Sequence, residues 1–118
     1  MKYEGVFLHH IMDEMVFLED HCSSITYDDL IHDEVLKRSV LRSIEVIGEA
    51  AKNLPAPFRE VYTDIPWRAM AGMRDRLIHA YFSVDWEIVW DVLTHEIPAL
   101  KPLIHVLLEG CDQKESGR

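Results

Sequence analysis

Val40-Leu41-Arg42-Ser43-Ile44-Glu45-Val46-Ile47-Gly48-Glu49-Ala50-Ala51 is the stretch that decides the fold. Val40, Ile44, Ile47 and Ala51 recur at steps of four, three and four, which places them on one stripe of a helix turning about 100° per residue. Leu36, Leu41 and Leu54 lie beside the stripe, while Lys37, Arg38, Arg42 and Lys52 mostly fall elsewhere. The pattern starts after Thr26, an N-cap followed by Asp28 and Asp29 in a first turn where the helix dipole favours acids. It reads as one helix as far as Leu54, ahead of Pro55 and Pro57. A glycine inside a helix costs about 1 kcal/mol relative to alanine. The small patch from Gly48 to Ala51 therefore predicts a close helix crossing.

The flanks carry the same period. Val6, Leu8, Ile11, Met12, Met15, Phe17 and Leu18 predict an amphipathic helix over 2–21, with Ser23, Ser24 and Thr26 as the break. Phe58 to Tyr62 suits a single turn. Asp64 or Ile65 then caps a helix with Pro66 in its first turn, running through Met70, Met73 and Leu77 toward residue 82. Ser83 or Asp85 caps a last helical region whose buried face is Trp86, Val89, Trp90, Leu93, Ile97, Leu100, Leu103, Ile104 and Leu107. Pro98 and Pro102 must kink or restart it, Gly110 closes it, and 112–118 is expected to be a disordered tail. With no period-2 strand and no repeat, the expectation is an all-α, up-and-down bundle of four to five helices in one domain over 1–111.

Bulk properties narrow the function. The 118 residues suffice for one core without disulfides, and Cys22 and Cys111 match no metal or redox spacing. No apolar run approaches the roughly 18 residues of a membrane span, and the N-terminus lacks a signal-peptide core, so the expected location is the cytoplasm. Net charge is −9, unlike the basic footprint of a generic nucleic-acid binder. Its distribution matters more. Residues 1–34 carry −8 and residues 82–118 carry −4, whereas residues 35–81 carry +3, enough to draw an anion locally.

Within that basic third stands Met73-Arg74-Asp75-Arg76-Leu77-Ile78-His79-Ala80-Tyr81-Phe82. On a continuous helix Asp75 and His79, four apart, share a face, so the aspartate could fix the imidazole tautomer and leave its other nitrogen free for proton transfer. Arg74 and Tyr81, seven apart, also share a face. Arg74 and His79 are roughly 140° out of phase. They converge on one anion only if the helix ends near His79 or a second chain completes the site, as in a symmetric dimer. Arginine binds phosphate oxygens bidentately and histidine moves protons near neutral pH. RNA brings its own nucleophile, the 2′-hydroxyl, so a metal-independent ribonuclease is the economical reading, with Arg68 and Arg76 as further substrate-binding arginines. The bland reading is an ion-pair cluster on a helix. Trp67, Trp86 and Trp90 read as core or interface. His9, His10, His21, His32, His95 and His105 show no metal-ligand spacing, His95-Glu96 lacks the second histidine of a zinc-protease helix, and no phosphate loop or nucleophile elbow is present, so no metal or cofactor is expected.

Arg74-x-x-x-x-His79-x-Tyr81, with polar Asp75 after the arginine, resembles the signature of HEPN-domain proteins, specifically the HepT-like toxins. The resemblance takes in Ile44 to Lys52, the segment Ile65-Pro66-Trp67-Arg68-x-Met70-x-Gly72-Met73, and Tyr81-Phe82-x-Val84-Asp85, covering roughly 35–105. It implies a helical homodimer with two motifs facing across a cleft, acting as a metal-independent endoribonuclease toxin of a toxin–antitoxin pair. Arg74 and His79 are then catalytic and Asp75 orienting. The implied partner is a small MNT-class nucleotidyltransferase that silences the toxin by attaching AMP to Tyr81. The alternative the family allows is a catalytically inert helical subunit of a nucleotidyltransferase complex.

Overall fold

A computed structural model describes residues 2–80 and 83–116. Three long helices form the frame: α1 (Lys2–Cys22), α3 (Glu34–Asn53) and α8 (Ile97–Ser116). Between them run α2 (Tyr27–Ile31), α4 (Ala56–Val61), α5 (Trp67–Ala71), α6 (Met73–Leu77), a small hairpin of β1 (Ile78–Ala80) and β2 (Ser83–Val84), and α7 (Trp86–Asp91). A π-helical turn, Val92–Glu96, joins α7 to α8. The result is an all-α bundle measuring 49 × 27 × 21 Å, in which α1 packs against both α3 and α8, and α3 also packs against α5 and α6.

Burial explains the order of strength. Leu8, Ile11, Met15 and Leu18 from α1 meet Val40, Ile44, Ile47 and Ala51 from α3 and Ile104 from α8 in one core, each at most 1% exposed. Fully burying one such aliphatic side chain contributes about 1.5–3 kcal/mol, whereas helix propensities differ by less than about 0.7 kcal/mol per ordinary residue. The stripe on α3, not propensity, fixes this architecture.

Gly48 does what its position in that stripe predicts. A Cβ built there would stand 3.1 Å from the carbonyl oxygen of Met70 and 3.4 Å from that of Ala71. The obstacle is backbone of α5, which cannot swing aside as a side chain can. Gly48→Val is therefore expected to destabilise the fold by about 1–3 kcal/mol, the usual penalty of overpacking, with Gly48→Ala much milder because helix propensity offsets the crowding. Urea unfolding of both variants checks this. Equal stability of Gly48→Val and the parent would show that α3 and α5 do not need their close approach.

The chain is segmented more finely than its hydrophobic period predicts. Thr26 caps as expected: its hydroxyl accepts the Asp29 N–H at 3.1 Å while the Asp29 carboxylate accepts the Thr26 N–H at 2.9 Å. That backbone hydrogen bond, with help from the hydroxyl, holds the Asp29 carboxyl below the usual aspartate range. The helix it starts is short, however. Asp33 caps a second helix by accepting the Leu36 N–H at 3.0 Å, dividing the single helix expected from 26 to 54. Pro66, rather than Asp64 or Ile65, occupies the N-cap of α5, and Asp85 caps α7. At the far end, the Ile97 N–H reaches back five residues to Val92, so the helical register has widened before it meets Pro98, which has no N–H to donate. Pro102 sits inside α8 on the solvent side. The same helix continues through Gly110, expected to close it, as far as Ser116, and His9 Nε2 lies 3.1 Å from the Asp112 carboxylate.

Candidate active site

The largest departure from the helical expectation falls in the motif itself. Gly72 interrupts the run from Trp67, and α6 stops at Leu77. Leu77 then hands its carbonyl to the N–H of Asp85 at 2.9 Å, a bond a continuing helix would have made with residue 81. Ile78 turns extended, with φ −116° and ψ 103°, and the chain pairs antiparallel with β2 through Ile78–Val84 and Ala80–Ser83. A short hairpin thus stands where sequence period gave no strand. Its pairing is possible because Asp85 caps α7 and holds the second strand against the end of α6.

Met73 and Leu77, four apart, are buried, which leaves Arg74, Asp75 and Arg76 on the outer side of α6. Arg74 is half-exposed. Its Nε donates to Glu45 Oε2 on α3 at 3.4 Å, and its Nη1 lies 3.5 Å from Asp75 Oδ1. Two carboxylates thus flank one guanidinium, and the groove beside it, of about 440 Å³, is bounded by His10, Arg42, Glu45, Glu49, Asn53 and Arg74. Glu45 is the member that sequence spacing missed. It lies 29 positions from Arg74, and only the packing of α3 on α6 brings the two together.

The Asp75–His79 dyad expected from helical spacing does not form. The two residues are four apart, but the helix ends between them, so the geometry that stacks i and i+4 no longer applies. Asp75 turns its carboxylate to Arg74, and His79 stands exposed on β1 without a hydrogen bond to any described residue. The same helix end at Leu77 removes the phase difference of about 140° that a continuous helix would impose on Arg74 and His79. Tyr81 lies outside the described residues.

The other arginines part company. Arg76 Nη2 donates to both carboxylate oxygens of Glu96, at 3.0 and 2.9 Å, and so ties α6 to the π-helical turn. Arg68 is exposed on α5 and forms no ion pair with a described residue. Trp67 is buried, its Nε1 donating to the Tyr62 carbonyl at 2.9 Å, while Trp86 and Trp90 are partly buried against the core, as a framework role requires. Cys22 is buried in the core, and desolvation raises its thiol pKa. Among the described residues no group of three or more His, Cys, Asp or Glu side chains converges to hold a metal ion. Nor is any described helix long and apolar enough to cross a membrane.

Comparison with known proteins adds relatives to this geometry. Residues 11–107 match the family model described as ribonuclease HepT-like. The chain is 44% identical over 109 residues to a protein of Caldanaerobacter subterraneus subsp. tengcongensis named "Putative RNase", with 92% of this chain and 97% of that protein covered. A "Putative RNase" of Methanocaldococcus jannaschii is 42% identical over 110 residues, covering 91% of each chain. A Thermococcus cleftensis protein named "Probable ribonuclease HepT" is 41% identical over 95 residues, covering 80% of this chain and 86% of that one. No solved structure matches the chain.

Proposed function

The chain belongs to the HepT-like ribonuclease family, and from that premise we propose that it is a metal-independent endoribonuclease with Arg74 and His79 as its catalytic residues. The observation that carries this reading is the end of α6 at Leu77. It leaves a carboxylate-flanked arginine and an exposed histidine, whose side chain bonds to no described residue, five residues apart on either side of a helix-to-strand break. In the proposed reaction the His79 imidazole takes the proton of an RNA 2′-hydroxyl. The 2′-oxygen attacks the adjacent phosphorus, and the bond to the 5′-oxygen breaks. That oxygen takes up a proton as it leaves, and the products are a 2′,3′-cyclic phosphate and a 5′-hydroxyl. Arg74 neutralises charge developing on the phosphoryl oxygens, and Asp75 steadies Arg74 through the contact at 3.5 Å in place of orienting His79. Arg68, in no ion pair with a described residue, is available for substrate, whereas Arg76 must release Glu96 to join it.

The wider assignment follows from the same reading. The protein acts in the cytoplasm as the toxin of a toxin–antitoxin pair and works as a homodimer in which two motifs face one cleft. Its partner is an MNT-type nucleotidyltransferase that transfers AMP from ATP to the Tyr81 hydroxyl, releasing pyrophosphate. An adenylyl group two residues from His79 would fill the cleft and exclude RNA. The test is incubation of the purified chain with single-stranded RNA in excess chelator. Fragments ending in 2′,3′-cyclic phosphate are expected. Intact RNA, with or without chelator, would instead leave an inert helical subunit of the nucleotidyltransferase complex. For the silencing step, Tyr81 peptides are weighed after exposure to the partner and ATP, and an unchanged mass would refute it.

A further inference from the structure

α3 carries a feature that neither stability nor the motif explains. Arg38 and Arg42, one helical turn apart, are both exposed, and neither forms an ion pair with any described residue. Like charges at this spacing destabilise a helix, and the chain holds 21 acids against 12 lysines and arginines, so carboxylates are not scarce. Two of the nearby ones bond elsewhere, while Glu49, which borders the Arg74 groove with Arg42, forms no ion pair with a described residue. Glu14 accepts the hydroxyl of the buried Ser43 at 2.6 Å, and Glu45 is taken by Arg74.

The two arginines face open space. A groove of about 510 Å³ between α1 and α3 is lined by Glu14, Phe17, Arg38, Arg42 and the two serines 39 and 43. Arg42 also borders the groove that contains Arg74, so the two hollows share a wall. On the α1 side the first offers Phe17 and the second Phe7, both partly buried. Arginines along one wall and aromatic rings along the other are the two ingredients of single-strand recognition: cations that track the phosphates and flat faces on which bases stack. Four residues of α-helix span about 6 Å, on the scale of one step along an extended strand. Duplex RNA cannot use such a groove, because its bases are paired and stacked on one another.

We propose that the groove running from Arg38 past Arg42 to Arg74 is a substrate track that holds single-stranded RNA beside the scissile phosphate. It rests on the ribonuclease reading for the identity of its ligand. Arg38 and Arg42 each hold one flanking phosphate, and Phe17 takes a neighbouring base. The track also accounts for RNA binding by an acidic protein: it places the unpaired cations of α3 in line with the proposed catalytic arginine.

The test uses the full chain and a fluorescent single-stranded oligonucleotide whose riboses are 2′-O-methylated, so that it binds but lacks the nucleophile. Dissociation constants are measured over a range of salt for the parent, for Arg38→Gln with Arg42→Gln, and for Lys52→Gln, which lies on α3 outside both grooves. The double variant is expected to bind about tenfold more weakly, with a shallower salt dependence. Each lost phosphate contact removes about 0.7 from the slope of log affinity on log salt, hence about 1.4 in all. Lys52→Gln should follow the parent, and a duplex of the same sequence should bind more weakly than the single strand. Unchanged affinity and slope in the double variant, no binding by the parent, or equal binding of the duplex would overturn the proposal. Cleavage of the unmethylated strand, run in parallel, separates the two readings. Binding that depends on the arginines without cleavage would sink the catalytic assignment and keep the track. Cleavage by the parent with normal binding by the double variant would do the reverse.

Discussion

His79→Ala is expected to reduce RNA cleavage by about 10²- to 10⁴-fold, the range that a positioned acid–base group supplies. Binding of uncleavable RNA and thermal stability should stay near the parent values. The stability half of this expectation follows from burial. His79 is exposed on β1 and its side chain bonds to no described residue, and replacing such a residue usually shifts stability by no more than about 0.5 kcal/mol. A large fall in activity on an unchanged fold is therefore specific to chemistry. If the motif were only an ion-pair cluster at an interface, the signs would exchange: dimerisation or melting would shift, and cleavage per dimer would not. Asp75→Asn sharpens the comparison. A dyad would make it nearly as damaging as His79→Ala, whereas a carboxylate whose ion-pair partner among the described residues is Arg74, at 3.5 Å and exposed, predicts a loss below about tenfold.

Much of this was legible because hydrophobic period is a direct image of burial. The stripe at Val40, Ile44, Ile47 and Ala51 and the row at Leu8, Ile11, Met15 and Leu18 are the fully buried seam between α1 and α3. Gly48 marks the close approach through its own lack of a side chain. Period fails where a backbone bond overrides it. Met73 and Leu77 keep helical spacing to the last buried residue, yet the next carbonyl partner is Asp85 rather than residue 81, and nothing in the apolar pattern records that exchange. The division at Asp33 was readable in principle, since aspartate before glutamate is an N-cap signal, but the apolar stripe runs across it and masks it. Glu45 shows the other limit. A contact across 29 positions depends on how two helices pack, and one sequence contains no spacing that would announce it.

Arg74→Lys is expected to lose nearly as much cleavage as Arg74→Ala, about 10²- to 10³-fold in kcat, the cost of removing one preorganised donor to developing charge. The two substitutions differ in charge and agree in outcome because of how the side chain is held. Glu45 accepts from Nε at 3.4 Å and Asp75 sits 3.5 Å from Nη1, so carboxylates on separate helices flank the half-exposed guanidinium. Its other N–H groups are left for a phosphate, as the proposed role requires. Lysine has no fork. Its ammonium carries three donors on one nitrogen, so with two drawn to the carboxylates a single N–H remains and the paired contact to two phosphate oxygens is lost. The measurement is steady-state cleavage at saturating RNA for the parent and both variants, with dissociation constants for uncleavable RNA alongside. Near-parent kcat in Arg74→Lys would mean that a point charge suffices and that the grip of Glu45 and Asp75 has no part in catalysis. A kcat lost in both variants while affinity changes only a few-fold would place the arginine's contribution in the transition state rather than in holding the strand.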